Sequence, residues 1–189
     1  IGDRTNRVVL DILEDVQSLA PHLRHRIEHV QLIETEDQQR LADAGIIASM
    51  QPIHAVHDVE MAERYWGTRS RNAYAWRSLK EAGAVLAFGS DAPIEIFDPF
   101  AGLYAAVTRR SETNGDPGPQ GWYPEQRLSL SEAIDAYTWG SAYAAGMENR
   151  LGRLAPGYHA DLIVLDRDIF SLAPEALLET QVQRVMIAG

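Results

Sequence analysis

The sequence predicts an α/β fold: a parallel sheet with helices between its strands, followed by a small β appendage. Three observations predict it. Short strand-like runs at His25–Val30, Ile46–Met50 and Ala84–Phe88 alternate with helix-patterned segments, which is the mark of βα units. Helix-start patterns recur where a strand-to-helix link should end. After about residue 150 the texture changes, and strand patterns follow each other without a helix between them.

Each element has its local reason. Residues 5 to 20 form an amphipathic helix with Val8, Val9, Ile12, Leu13, Val16 and Leu19 on one face, ended by Pro21. Thr35-Glu-Asp-Gln38 reads as a capping box with Thr35 as N-cap, opening a helix that Gly45 stops. Gln51-Pro52 ends the second strand, and residues 58 to 82 are mostly helical in two pieces divided near Gly67. The third strand is a buried apolar run that ends abruptly in Gly89-Ser90-Asp91, with Pro93 just beyond. Asp98-Pro99 is an N-cap with proline at N1, starting a helix to about Arg110. Residues 111 to 127, rich in Gly and Pro, form the one long irregular segment, and Ser129-Leu-Ser-Glu132 is a second capping box opening a helix to about Gly146. His159–Asp166 and Val182–Ile187 are the two strands of the appendage.

The 189 residues suffice for one core plus that appendage. A net charge of −10 argues against a general nucleic-acid binder or a protein that binds anionic membranes, since either needs a basic surface. No apolar run is long enough to span a membrane. There is no cysteine, so disulfides and thiolate metal sites are excluded, and a cytoplasmic location is the expectation. The chain starts at Ile1 and enters a helix almost at once, which predicts that it is cut from something larger.

Three strand ends carry potential ligands: Glu28-His29, Gln51-Pro52-Ile53-His54 and Gly89-Ser90-Asp91. In a parallel α/β fold all strand C-termini face one side, and active sites gather there. Imidazole with carboxylate suits Zn²⁺ or a similar divalent ion. A carboxylate beside such an ion also serves as a base towards water. Taken singly, a strand-end histidine is more often a packed residue, and a strand-end aspartate is often an N-cap. Their joint presence on separate strands of one sheet makes a site reading and the packed-residue reading comparable. His22, His25, His57 and His159 lack that context and read as structural or surface residues.

The ordered runs RHRIEHVQ (24–31), IIASMQPIH (46–54), AYAWRSLKEAGAVLAFGSDAP (73–93), GWYPEQRLSLSEAIDAYT (121–138) and LGRLAPGYHADLIVLDRD (151–168) resemble the amidohydrolase superfamily. More narrowly they resemble its amidohydrolase-3, or YtcJ-like, branch, whose members include N-substituted formamide deformylases. The resemblance runs over essentially the whole chain. It implies the C-terminal part of a (β/α)₈ TIM barrel of the metal-dependent hydrolase kind over residues 1–150, and strands of a composite β-sandwich over 151–189. By the same resemblance His29 is the sixth-strand metal ligand, and Asp91 is the eighth-strand ligand and general base. The fifth-strand histidine would fall just before Ile1. The first-strand histidine pair and the bridging residue of the fourth strand would lie outside the chain as well.

The resemblance therefore implies a metal-dependent hydrolase of non-peptide C–N bonds, of amide or formamide type, using one or two divalent ions, most simply Zn²⁺. Asp91 is the catalytic base, His29 and Asp91 hold the metal, and His54 and Trp122 are candidates for contact with an amide-like small molecule. Arg69, Arg71 and Trp76 fall near the same face by order, and Gly89 is expected to admit close backbone approach. Trp122 and Tyr123 either close over substrate or anchor their loop. Two rivals stay open: a metal-free binding or scaffold protein on the same fold, and a metal hydrolase for esters or phosphoesters. Since a catalytic zinc usually has three protein ligands, the 189-residue piece alone is expected to be inactive, to bind metal weakly, and to pair with the missing N-terminal part or with another copy of itself.

Overall fold

Three short parallel strands organise the first half of the chain, in a computed structural model that describes residues 1–189. They are β1 (Arg26–Glu28), β2 (Ile47–Met50) and β3 (Leu86–Phe88), side by side in the order β1-β2-β3. Ile27 pairs with Ala48, and Ala48 with Leu86, so the three C-terminal ends finish level with one another. Around them lie helices α1 (Asp3–Leu19), α2 (Thr35–Asp43), α3 (Pro52–His57), α4 (Val59–Trp66), α5 (Trp76–Glu81) and α6 (Pro99–Thr108). A later helical stretch comprises α7 (Leu130–Asp135), a π-helical turn (Ala136–Gly140) and α8 (Ser141–Ala144). The chain ends in an antiparallel ribbon of β4 (Leu162–Leu165) and β5 (Val182–Met186), with a 3₁₀ segment Pro174–Glu179 between them. No helix is long and apolar enough to cross a membrane.

β2 and β3 are buried on both faces, as the centre of a covered parallel sheet requires, and they read as continuous apolar runs for that reason. Leu10, Ile27, Leu41, Met50, Leu79 and Phe88 join one core cluster under the helices. The π-helical turn packs directly on β3. A Cβ at Gly140 would sit 2.0 Å from the Leu86 carbonyl oxygen, so only glycine allows this approach. Ser141 Oγ donates to the Phe88 carbonyl at 2.9 Å and satisfies one acceptor on the open side of β3.

Several expectations are corrected. The α1 face of Val8, Ile12 and Leu19 is 48, 55 and 84% exposed, and the helix instead buries Asn6 and Leu10, with Val9 and Leu13 packed beside them. The buried Asn6 donates its Nδ2 to the Leu32 carbonyl at 2.7 Å, so a polar side chain lies on the face that packs. Thr35 is not an N-cap: Glu34 precedes the first turn and no side chain caps it. Pro52 does not merely end β2, because its missing N–H costs nothing at N1 and it starts α3 at once. The C-terminal capping box is present in both halves: Ser129 accepts from the Glu132 backbone, and the Glu132 side chain accepts from the Ser129 backbone. Asp98 caps α6 through Phe100 N at 2.9 Å.

Candidate metal centre

His29 follows β1 directly, His54 lies in the first turn of α3 after β2, and Asp91 stands three residues past β3. Level strand ends therefore bring three donors from adjacent strands to one place. One ligand atom from each of His29, His54 and Asp91 lies within 4.8 Å of the other two. His29 and Asp91 both adopt left-handed backbone, with φ of 71° and 58°. For residues with a Cβ this costs roughly 1–3 kcal/mol each and persists only where surroundings impose it.

The histidines are held from behind. Nδ1 of His29 lies 2.9 Å from Oε1 of Gln51, a buried residue that directly follows β2. As a carbonyl oxygen, Oε1 accepts the Nδ1 hydrogen, which leaves Nε2 of His29 with its lone pair. The His54 ring stacks on His29 with centroids 5.7 Å apart. Burial lowers the pKa of His54 below the ordinary imidazole value, against the opposing pull of Glu95. The neutral form is the one that ligates metals. Nε2 of His54 is buried without a hydrogen-bond partner. Two imidazoles and a carboxylate, with the Nε2 lone pair of His29 freed by Gln51, fit a divalent ion of the zinc type.

Behind His54 sits a polar layer that sequence reading missed. Asp58 Oδ2 accepts from both the Tyr74 hydroxyl and Gln31 Nε2. Burial first, and then Asp58, push the Tyr74 hydroxyl well above its ordinary pKa, so it stays a donor. His57, read from sequence as a structural or surface residue, lies between two carboxylates: Glu95 at 3.1 Å from Nδ1 and Glu112 Oε1 at 3.3 Å from Nε2. Beside it opens a cleft of about 590 Å³ lined by Val56, His57, Glu60, Ser111, Thr113 and Asp116 among others. The acidic partners of His57 come from distant segments, and only Glu95, in the stretch Asp91-Ala-Pro-Ile-Glu95, was near a motif already singled out.

Of the two readings open for Trp122, its contacts fit the loop anchor. Its indole is 5% exposed, and its Nε1 donates to Glu63 Oε1 at 2.8 Å. Tyr123 donates to the same carboxylate oxygen at 3.1 Å. Arg109, fully buried at the end of α6, donates to the Trp122 carbonyl at 2.7 Å and the Tyr74 carbonyl at 2.9 Å. Its guanidinium lies 4.3 Å from the Trp76 ring centroid and 5.1 Å from that of Trp122, contacts that offset part of the cost of burying a cation. Trp122 thus anchors the 111–127 loop to the body and offers substrate no free polar atom. Trp76 is fully buried in the same cluster, and Arg69 pairs with Asp3. Gly89 meets no close backbone: a Cβ there would find nothing within 4 Å.

The amidohydrolase family model matches residues 1–189. The amidohydrolase YtcJ of Bacillus subtilis is 35% identical over all of this chain, which spans 35% of that protein. N-substituted formamide deformylase of Arthrobacter pascens is 32% identical, again over the whole chain and 34% of its own length. The crystal structure of an uncharacterised metal-dependent hydrolase from Pyrococcus horikoshii superposes on 92% of this chain and 34% of its own, with a TM-score of 0.77 and 30% identity. The chain spans about a third of the length of the curated relatives it matches. In this frame the parallel sheet is the C-terminal part of a (β/α)₈ barrel.

Proposed function

Because this chain belongs to the amidohydrolase family, we propose that its site hydrolyses a non-peptide C–N bond of amide or formamide type with the help of a divalent ion, zinc by preference. The observation that carries this reading is the meeting of His29, His54 and Asp91 donor atoms within 4.8 Å at the ends of adjacent strands. In this reading residues 1–150 belong to the catalytic barrel and 151–189 to the sandwich. His29 and Asp91 hold the ion, and His54 lies close enough either to complete the set or to face the substrate.

When bound, the ion supplies Lewis acidity towards a carbonyl and makes water acidic near neutral pH. Asp91 accepts the proton of the attacking water and passes it to the leaving nitrogen, the task of a single carboxylate that is base first and acid second. His29, fixed by Gln51, moves no proton. Neutral His54 orients the substrate carbonyl or its nitrogen. Carboxylates flank the histidines at Glu95 and Glu112, which favours a neutral amide over a phosphoester, whose anionic oxygens would need arginine or lysine there. The likeness to a formamide deformylase supports the same substrate class. His29, His54 and Asp91 reach the three protein ligands usual for a catalytic zinc; the 189-residue chain by itself spans about a third of its relatives and is expected to turn over little for want of the rest of the barrel.

Elemental analysis of the full-length gene product, beside Asp91→Asn, tests the reading. One or two equivalents of zinc or a similar ion are expected, with hydrolysis of amides or formamides abolished in the variant. A folded protein that takes up no metal even after reconstitution would overturn it and leave a metal-free binding protein.

A further inference from the structure

Glu95 points inward while its neighbours point out. Ile94, Ile96 and Phe97 are 70, 53 and 84% exposed, yet the Glu95 side chain is only 15% exposed. Two contacts account for the turn. Both Glu95 oxygens lie on Nδ1 of His57, at 3.1 and 3.2 Å. The same carboxylate stands 3.9 Å from Nε2 of His54, one helical turn earlier on α3. That distance is too long for a hydrogen bond and short for a charge acting through a partly buried medium. His57 is in turn met from its other side by Glu112 at 3.3 Å. Three segments therefore converge: the turn after β3, the end of α3 and the start of the 111–127 loop.

We propose that Glu95 is a positioning residue that sets the ring orientation and tautomer of His54, and that His57 and Glu112 are the brace that holds Glu95 in place. The inference rests on the reading of His54 as a group that faces ion or substrate. A neutral imidazole carries one N–H and one lone pair, and its polar neighbours decide which nitrogen has which. A carboxylate beside Nε2 disfavours a lone pair there and draws the hydrogen to that nitrogen. Nδ1 of His54 is then left as the acceptor. The opposite holds for His29, whose Nδ1 hydrogen is committed to Gln51. The two stacked rings thus present different nitrogens, each chosen by a different neighbour. His57 gives the carboxylate a fixed seat, since gripping both oxygens stops it rotating towards solvent. Glu112 extends that seat to the long loop, so displacement of the loop start would loosen Glu95.

The test uses the full-length gene product with Glu95→Gln, Glu95→Asp and Glu112→Gln. Ring ¹⁵N NMR on the chelated, metal-free protein reads the tautomer of His54, and steady-state kinetics on the loaded protein read kcat and KM separately. The wild type is expected to show His54 as the Nε2–H tautomer. Glu95→Gln, nearly the same shape, should give mixed tautomers with kcat down about tenfold or more, at unchanged KM and metal content. Glu95→Asp should recover part of both, and Glu112→Gln should move both by less. An unaltered His54 tautomer in Glu95→Gln overturns the proposal, as does an unaltered kcat. Should Glu95→Gln not fold, Glu95→Asp carries the same comparison, since it keeps the charge and draws it back by one methylene. A wild type with no hydrolytic activity would defeat the catalytic reading instead, and the NMR comparison would still decide the brace.

Discussion

Gln51 is the residue on which the rigidity of His29 depends. Its Oε1 lies 2.9 Å from Nδ1 of His29, and it is itself buried. Groups that fix the tautomer of a metal-binding histidine contribute about 10–100-fold in metal affinity. Gln51→Leu keeps the volume and removes the acceptor. The expected result is a fall of about that size in zinc affinity, measured by competition with a chelator on the full-length protein, with little change in thermal stability. Unchanged affinity would mean that backbone strain at His29 alone orients the ring. His29 and Asp91 were legible as candidates because each stands at the end of a strand-like run, a position that topology turns into a shared face. Gln51 and Glu95 were not legible in those roles. Gln51 acts across the β1–β2 pairing and Glu95 across the gap from β3 to α3, and neither juxtaposition has a local sequence pattern. His54 lay in between: its place one turn into α3 depends on Pro52 starting a helix where the sequence read as the end of a strand.

Among the elements, α7 shows local sequence and tertiary contact agreeing. Ser129 and Glu132 form the capping box that the sequence predicts, and Arg77 from α5 adds a bidentate pair to Glu132 at 3.0 and 2.7 Å. The Arg77 guanidinium, and then the Ser129 backbone and hydroxyl, hold the Glu132 carboxyl down at about 2. A carboxyl whose folded pKa is depressed adds stability above its ordinary value of about 4.3. That stability drains away as pH falls from there towards about 2. Glu132→Gln should therefore flatten the acid limb of the stability curve in that window, and Ser129→Ala should cost about 1 kcal/mol at neutral pH. Chemical denaturation between pH 2 and 7 reads both, and an acid limb unaltered by Glu132→Gln would refute the assignment. The α2 capping box failed where this one held, although both have the spacing. At Thr35 the chain enters the helix one residue earlier, from Glu34, and no neighbour plays the part that Arg77 plays for Glu132. In α1 the two apolar stripes compete, and packing against α2 and the Leu32 carbonyl selects the one containing Asn6. Hydrophobic periodicity alone has no means of ranking two such faces.

At the scale of the whole molecule, the parallel sheet was readable from alternation, and its unpaired edges were expected from the barrel strands that the resemblance places outside the chain. β1 and β3 each have one partner, so both edges of the parallel sheet are open except where Ser141 meets Phe88. The terminal ribbon has every residue of β5 exposed, and two strands alone are marginally stable in water. Ile163 pairs with Val185 in that ribbon, and the two are 48 and 66% exposed. Leu154, Met186 and Ile187 extend the same apolar surface. Exposed edges and apolar patches of this kind are templates for association. We therefore expect the isolated 189-residue polypeptide to self-associate at micromolar concentration, and sedimentation velocity should show species heavier than 21.0 kDa that grow with concentration. Val185→Lys places a charge on the ribbon and should shift the distribution towards monomer if the ribbon is the contact. An unchanged distribution would move the contact to the β1 and β3 edges, where main-chain groups do the pairing and one side-chain charge has little effect. A single monomeric species across the concentration range would mean that neither surface is sticky enough to outweigh the loss of translational freedom on association.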